Sequence, residues 1–190
     1  GNAARAVLPE RVNQFCTLGQ RIVDVSAHKG EIEQMSIRGF EGHTRAFVKI
    51  EDGCNRFCSY CIIPYARGRV RSRTPEDIRA ELAGLAEKGY TEVVLVGINL
   101  TAYGSEQGLT LADAVETACA VPGIRRVRLG SLEPDHMTSE MIRRLAAQEK
   151  LCPQFHLSLQ SGCDDTLRRM NRHYTSAEYA AVCAELREAF

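Results

Sequence analysis

The chain has 190 residues, and its 44% hydrophobic and 25% charged residues are typical of a globular protein that buries a core of its own. Its 24 basic and 24 acidic residues cancel, so the net charge gives no reason to expect a nucleic-acid partner, and any such contact has to be local. The apolar runs are far shorter than the roughly 20 residues that span a bilayer, and residues 1–10 lack the apolar stretch of a signal peptide, so we expect neither a membrane partner nor secretion.

Residues 1–40 form the first predicted unit. They contain a strand candidate, RIVDVS at 21–26, followed by polar sequence that Gly30 and Gly39 punctuate. This pattern does not continue into the rest of the chain. We therefore predict that residues 1–40 are the end of a different unit with a linker, and that a second domain covers residues 41–190.

Residues 41–190 alternate predicted strands with predicted helices. Apolar runs typical of short buried strands lie at 46–50, 92–97, 126–131 and 155–160. A helix follows each strand, and capping threonines mark the helix starts: Thr74, Thr110, Thr138 and Thr175. On the last helix we expect a buried stripe made of Tyr179, Val182, Cys183 and Leu186.

This alternation predicts an α/β fold with a parallel sheet covered by helices, either doubly wound or curling toward a barrel. In both architectures ligands bind at the carboxyl ends of the strands. Because four strands do not close a barrel, we expect the chain to be a fragment of a larger fold.

Three of the eight cysteines, Cys54, Cys58 and Cys61, directly follow the first strand, and the other five are scattered. This grouping indicates a metal and a reducing, cytoplasmic compartment rather than disulfides. Thiolates select zinc, copper(I) or iron–sulfur clusters. Three thiolates on a four-iron cluster leave one iron for a small molecule, and a zinc site completed by Cys163 or His43 is the alternative.

The sequence segments around and after these cysteines resemble the methylthiotransferase branch of the radical S-adenosylmethionine enzymes. The resemblance covers residues 40–190 and rests on EDGCNRFCSYCIIPYARGRVRSR, VVLVGINLTAYG, RLGSLEPDHMT and HLSLQSGCDDTLRRMNRHYTSAEY. Within the branch, ARG after CIIPY and SLEP in the third strand block most resemble the enzymes that act on threonylcarbamoyladenosine beside the tRNA anticodon. Siblings acting on isopentenyladenosine in tRNA or on a ribosomal protein aspartate are the alternatives.

The resemblance implies a partial parallel (β/α) barrel, here truncated to about four β/α units and preceded by the tail of an N-terminal methylthiotransferase domain. It implies a [4Fe-4S] cluster on Cys54, Cys58 and Cys61 that binds S-adenosylmethionine at its open iron. The deoxyadenosyl radical formed there would take the hydrogen from C2 of the adenine.

The same resemblance implies tRNA as the partner, an electron donor such as flavodoxin or ferredoxin, and a second [4Fe-4S] cluster in the full-length protein only. Cys16 is alone among residues 1–40, so the three cysteines expected to hold that second cluster are not in this chain. A function of a different class, a non-catalytic metal-containing module that binds RNA, stays open on the residues alone.

Polar residues at the strand ends are the predicted contacts of S-adenosylmethionine, resting mainly on the resemblance. The candidates are Tyr60, Gly97, Asn99, Ser131, Glu133, Gln160 and Ser161. Arg172 and His173 lie in a basic segment near the fourth strand and face either the pocket or solvent. No catalytic residue is assigned.

The segment RGRVRSR carries alternating arginines: Arg67, Arg69, Arg71 and Arg73. In an extended chain all four guanidinium groups would share one face, which suits RNA phosphates. The alternative is a solvated loop with internal ion pairs. Four remaining cysteines, Cys119, Cys152, Cys163 and Cys183, are predicted to be buried or incidental thiols.

Overall fold

The structure, a computed structural model, describes residues 2–24, 32, 39 and 42–190 of the chain. Its helices in these ranges are α1 (Leu8–Leu18), α2 (Ile63–Arg67), α3 (Pro75–Glu87), α4 (Leu111–Ala120), α5 (Ser139–Ala146), α6 (Asp164–Arg169) and α7 (Ser176–Ala189). Its strands there are β1 (Ala46–Lys49), β2 (Glu51–Asp52), β3 (Arg71–Ser72), β4 (Glu92–Val96), β5 (Arg126–Leu129), β6 (Ser131–Leu132) and β7 (His156–Leu157). Short 3-10 helices lie at Asn2–Val7, Leu100–Ala102 and Pro134–His136.

A parallel sheet in the order β1-β4-β5 is the centre of the fold. Its register places Ala46, Val93 and Val127 in one row, and all three side chains are fully buried. The predicted third strand is interrupted at Gly130, whose N–H donates to the Leu95 carbonyl at 2.9 Å. Beyond it, β6 pairs in parallel with β7, so the four predicted strands lie side by side in sequence order. The predicted α/β fold with parallel strands is confirmed.

The helices begin where the threonines predict. The side chains of Thr74 and Thr138 accept hydrogen bonds from backbone N–H groups three residues on. Thr110 and Thr175 each form a capping box with an acidic residue of the first turn. These caps are local interactions, which is why the sequence alone predicts them.

One core lies between the sheet and its covering helices. Ile78, Leu82 and Leu85 form the buried face of α3, as the helical spacing predicts. They pack with residues of the central strands such as Val48 and Leu95, both fully buried. Burial of this kind contributes about 1.5–3 kcal/mol for each large apolar side chain, so the core fixes the sheet whose carboxyl ends carry the site.

Two predictions about the fourth unit are wrong in detail. The fourth strand covers only β7 rather than 155–160, because local hydrogen bonds from Leu159 N to Leu157 O and from Ser161 N to Leu159 O curl the chain there. On α7 only Leu186 of the predicted stripe is buried. Tyr179 and Cys183 are half-buried and line an open groove with Phe190.

The N-terminal segment differs from its prediction where it is described. Residues 8–18 form helix α1, which the sequence analysis did not anticipate, and residues 21–24 form no strand. The rest of the 21–26 strand candidate lies outside the described residues, and the boundary at residue 40 stays a prediction. No helix in the described part of the chain has both the length and the apolar character to cross a bilayer.

Candidate functional site

A short antiparallel pair holds the cysteine segment at the carboxyl end of β1. Strand β2 continues β1 after Ile50 and pairs with β3. The segment between β2 and β3, the cysteine loop, therefore begins and ends at the same point beside the sheet. Gly53 lies at the neck of this loop with φ of +91°, and any side chain there would collide with the Arg69 carbonyl. The Cys54 N–H donates to the Gly68 carbonyl at 3.1 Å and closes the neck.

The three cysteines of this loop are free thiols of graded exposure. Cys58 is buried, Cys54 and Cys61 are half-buried, and the Cys61 N–H donates to the Cys58 carbonyl at 3.0 Å in a tight turn. Burial raises the pKa of the Cys54 thiol, so proton loss there needs a nearby positive charge or a metal. A cluster iron supplies such a charge.

Hydrogen-bond donors surround two of the sulfur atoms. The Arg56 N–H donates to Cys54 Sγ at 3.4 Å, and Asn99 Nδ2 lies 3.9 Å from the same sulfur. Arg172 Nη1 donates to Cys58 Sγ at 3.2 Å. Donors of this kind stabilise thiolate and tune cluster potentials, so the donor set fits an iron–sulfur cluster.

These contacts continue into a series of hydrogen bonds that starts at Cys54 and returns to the cysteine loop at Cys58. Thr101 Oγ1 donates to Asn99 Oδ1 at 3.2 Å and accepts from the Glu133 N–H at 3.1 Å. Glu133 forms an ion pair with Arg172, which returns to Cys58. These hydrogen bonds therefore join the cysteine loop to the segments after β4 and β6 and to the segment after α6, and they include Asn99 and Glu133 from the predicted set.

Two acids at the base of the site carry opposite pKa shifts. Glu51 is fully buried, and burial raises its pKa to about 8 although the backbone N–H groups of Asn99 and Ile98 donate to it. Burial would also raise the pKa of Asp52, but the hydrogen bond from Lys49, at 2.5 Å, and nearby cations hold that pKa below its ordinary value. Glu51 is consequently neutral at pH 7 and Asp52 is charged.

Gly97 is required by the packing around Glu51. A Cβ on Gly97 would lie 2.6 Å from Glu51 Oε2 and 3.0 Å from Glu51 Cβ. Position 97 therefore needs a glycine to leave space for the buried Glu51 carboxyl group. The predicted role of Gly97, a close approach of the backbone to the cofactor, stays a prediction.

A second set of contacts holds the cysteine loop from two places, the 3-10 helix after β6 and the segment after α6. Arg56 pairs with Asp135, and its Nη1 lies 2.9 Å from His173 Nδ1. Asn171 Nδ2 donates to the Phe57 carbonyl at 3.0 Å. Phe57 has φ of +51°, an uncommon conformation for a bulky residue, so these contacts hold strained backbone between two of the cysteines.

The remaining predicted cofactor residues lie at the rim. Tyr60 is 54% exposed and close enough to Cys58 that burial and that contact raise its pKa. Ser131 Oγ lies 3.3 Å from His156 Nδ1, and Ser161 Oγ accepts from the Cys163 N–H at 3.1 Å. Gln160 is exposed, with φ of +62°. Their assignment to the cofactor stays a prediction.

The expectation that four alternating arginines share one open face is wrong. Arg71 and Arg73 are only 5% and 6% exposed. Arg71 pairs with Asp52 and donates to the carbonyls of Arg67 and Arg69, and Arg73 pairs with the buried Glu81. The chain turns at α2 and Gly68 instead of staying extended, so the alternation does not place the four side chains together.

Arg67 and Arg69 stay nearer the surface. Arg67 Nη1 lies 3.4 Å from Asp52 Oδ2 and its side chain is 28% exposed. Arg69 is exposed, and its guanidinium lies over the Phe57 ring, 4.6 Å from the ring centre. Cys119 and Cys152 are buried, whereas Cys163 is exposed and Cys183 is half-buried.

Within the described residues no three His, Cys, Asp or Glu side chains are grouped as the ligands of one metal ion. Zinc gathers its ligands round one ion, whereas the thiolates of a four-iron cluster bind separate irons. The zinc site completed by Cys163 or His43 stays the alternative prediction.

Sequence reasoning missed several residues that shape the site. Glu51, Thr101 and Arg56 received no role, and Arg172 was left between pocket and solvent. Only their proximity to the cysteines or to Asn99 in the sequence could have indicated the first three. For Arg172, whose partner Cys58 is 114 positions away, nothing local indicates the contact.

Comparisons with known proteins find relatives over most of the chain. A family model described as the Radical SAM superfamily matches residues 48–190. The chain is 47% identical over 174 residues to the threonylcarbamoyladenosine tRNA methylthiotransferase MtaB of Chlamydia pneumoniae, covering 88% of this chain and 41% of that protein. It is 38% identical over 185 residues to the tRNA-2-methylthio-N(6)-dimethylallyladenosine synthase of Clostridium novyi, covering 96% and 41%.

Solved structures show the same fold at low sequence identity. The radical S-adenosylmethionine methyltransferase TsrM of Kitasatospora setae has a TM-score of 0.58 and 19% identity, covering 76% of this chain and 29% of that one. The cobalamin-dependent S-adenosylmethionine radical enzyme OxsB has a TM-score of 0.62 and 12% identity, covering 75% and 22%.

The chain spans about two-fifths of the length of these curated relatives. The family model nevertheless covers most of this chain, including the cysteine loop and all four strand units. The chain belongs to the radical SAM superfamily, and its predicted resemblance to the methylthiotransferase branch of that superfamily is confirmed.

Proposed function

We propose that the chain is the radical S-adenosylmethionine core of a tRNA methylthiotransferase. The observation that carries the proposal is the placement of three free thiols on one loop at the carboxyl end of β1, with donors from the segment after β4 and from the α6–α7 segment directed at two of the sulfurs. Relatives named as tRNA methylthiotransferases support the choice of RNA substrate.

Membership of the superfamily confirms the predicted cofactor class, a [4Fe-4S] cluster with S-adenosylmethionine. The residue assignments are proposals: Cys54, Cys58 and Cys61 hold the cluster. When bound, this cofactor pair supplies radical chemistry able to activate an unreactive carbon–hydrogen bond.

The chain's own residues position and shield that cofactor. Arg172 and Asn99 donate toward the sulfurs, and Glu133 fixes Arg172 in place. Burial raises the pKa of Glu133 although Arg172 opposes it, and Arg172 keeps its charge in this buried pair. Arg172 thus holds a fixed positive charge 3.2 Å from the sulfur of Cys58, one of the proposed cluster ligands.

Anaerobic reconstitution with iron and sulfide tests the proposal. About four irons per chain in the wild type, with cleavage of S-adenosylmethionine to 5′-deoxyadenosine and methionine after reduction, are expected. Cys58→Ala should lose both. Cleavage retained by Cys58→Ala would reject the ligand assignment. Zinc binding in place of iron would reject the enzyme itself and favour a non-catalytic RNA-binding module.

For the finer substrate we propose threonylcarbamoyladenosine beside the anticodon, methylthiolated at C2. The 47% identity to MtaB supports it, whereas relatives named for dimethylallyladenosine reach 38–44%. Full-length protein supplied with tRNA carrying one or the other modification separates the two, since mass spectrometry of digested tRNA reads the methylthio group directly. Modification of the dimethylallyl substrate alone would contradict the finer proposal.

Several predictions on the wider protein remain proposals. They are that residues 1–40 are the tail of an N-terminal methylthiotransferase domain, that this domain holds a second [4Fe-4S] cluster in the full-length protein, that flavodoxin or ferredoxin is the electron donor, and that the protein works in the cytoplasm. Their common basis is the family resemblance.

A further inference from the structure

In the segment RGRVRSR, which was predicted to bind RNA phosphates, one arginine is available for such a contact. Arg67 and Arg71 pair with Asp52, and Arg73 pairs with Glu81. Arg69 is exposed and, among the residues that the structure describes, has no carboxylate partner. A guanidinium without an anion is free to bind one.

An aromatic ring lies next to this arginine, and a second ring packs against the first. The Arg69 guanidinium lies over the Phe57 ring, and Tyr65 meets Phe57 edge-on, with 5.4 Å between ring centres and 81° between the planes. Tyr65 is 73% exposed. Phe57 thus fixes the cation on one side and the tyrosine on the other, and much of the tyrosine ring stays open.

We propose that Tyr65 and Arg69 form a contact surface for an unpaired RNA nucleotide, with the base stacked on Tyr65 and its phosphate bound by Arg69. An exposed aromatic ring beside a cation is the combination with which proteins bind single-stranded nucleic acid. The inference rests on the proposed function, because it assigns the RNA substrate a place on this chain.

The position of the surface favours RNA over a protein partner. Phe57 lies between Cys54 and Cys58, so a nucleotide stacked on its neighbour Tyr65 would lie beside the cysteine loop. A stable protein interface needs well over 1,000 Å² of roughly matched surface, whereas one open ring and one cation match a single nucleotide. An RNA loop also carries the unpaired bases that stacking requires.

Binding of an anticodon stem–loop RNA to the full-length protein, measured over a range of salt concentrations, tests the surface. Tyr65→Ala should weaken binding about 5- to 150-fold with the salt slope unchanged, because stacking is lost and no charge is. Tyr65→Phe should bind like the wild type. Arg69→Gln should lower the salt slope by about 1, whereas Arg69→Lys should keep it.

Arg125→Gln is the matched control, since Arg125 is an exposed arginine at the opposite, amino end of β5. It should change neither affinity nor slope. Wild-type affinity in Tyr65→Ala, or an unchanged slope in Arg69→Gln, would overturn the surface alone. A wild type that binds no RNA would overturn the proposed function together with it.

Discussion

At the base of the site, the packing of single residues determines the protonation state of a buried carboxyl group. Glu51 is fully buried between the ends of β1 and β4, and one of its oxygens, Oε1, has no hydrogen-bond partner in the structure. An ionised carboxylate there would be costly, so the group keeps its proton. Gly97 leaves the space that this carboxyl group fills.

Glu51→Gln should flatten the dependence of stability on pH. The pKa of Glu51 is raised from 4.5 to about 8, so between these values the folded state binds a proton that the unfolded state releases. Stability therefore falls as pH rises through this window, by at most about 1.4 kcal/mol per pH unit from this group. Glutamine keeps the size and stays neutral.

Urea denaturation of cluster-free protein from pH 5 to pH 9 measures the effect. The variant should gain on the wild type as pH rises, and the two should converge toward pH 4.5. A constant difference across the range would mean that Glu51 titrates normally in the folded protein.

At the scale of elements, an ion pair attaches the end of β3, the strand that follows the cysteine loop, to helix α3. Arg73, at the end of β3, pairs with Glu81 on α3, with side chains only 7% and 4% exposed. Its Nη2 also donates to the Asp77 carbonyl at 3.2 Å. This arginine therefore belongs to the framework rather than to a phosphate-binding face.

Arg73→Met should destabilise the fold by about 3–5 kcal/mol, because it removes one side of a buried ion pair, Arg73–Glu81. Adding Glu81→Leu should recover much of that loss. The matched control is Arg143→Met, whose exposed partner Glu140 lies three residues earlier on α5, and it should cost less than about 1 kcal/mol. Equal midpoints for Arg73→Met and Arg143→Met in thermal unfolding would contradict the assignment.

The elements that the sequence predicts well are those specified by neighbours in the chain. Thr74 caps α3 through an N–H only three residues away, and the three cysteines lie within one loop. The β2–β3 pair escaped prediction because strands of two polar residues show no apolar alternation. The arginine segment was misjudged for a related reason, since alternation gives a shared face only if the chain stays extended.

Across the whole molecule, the site is closed by contacts between distant parts of the chain. Arg172 and Cys58 are 114 positions apart, and Arg56 and His173 are 117 apart. Contacts of this kind depend on the complete fold, so no local pattern predicts them. They also mean that the cysteine loop and the α6–α7 segment should respond together when the cofactor binds.

Cluster binding should therefore protect the α6–α7 segment as well as the cysteine loop. A ligand that binds only the folded state stabilises it, and the Arg172 contact carries this effect to residues 164–175. Hydrogen–deuterium exchange of reconstituted and cluster-free protein should show slower exchange in both segments of the loaded form. Cys58→Ala should exchange like the cluster-free wild type whether or not iron and sulfide are supplied.

Cys163→Ser is the control for this experiment, because Cys163 is an exposed thiol at the start of α6 and serine favours that capping position. The variant should keep its iron and the full protection of both segments. Loss of metal in Cys163→Ser would make Cys163 a fourth ligand and favour the zinc interpretation. Protection confined to the cysteine loop would show instead that Arg172 does not couple the two segments.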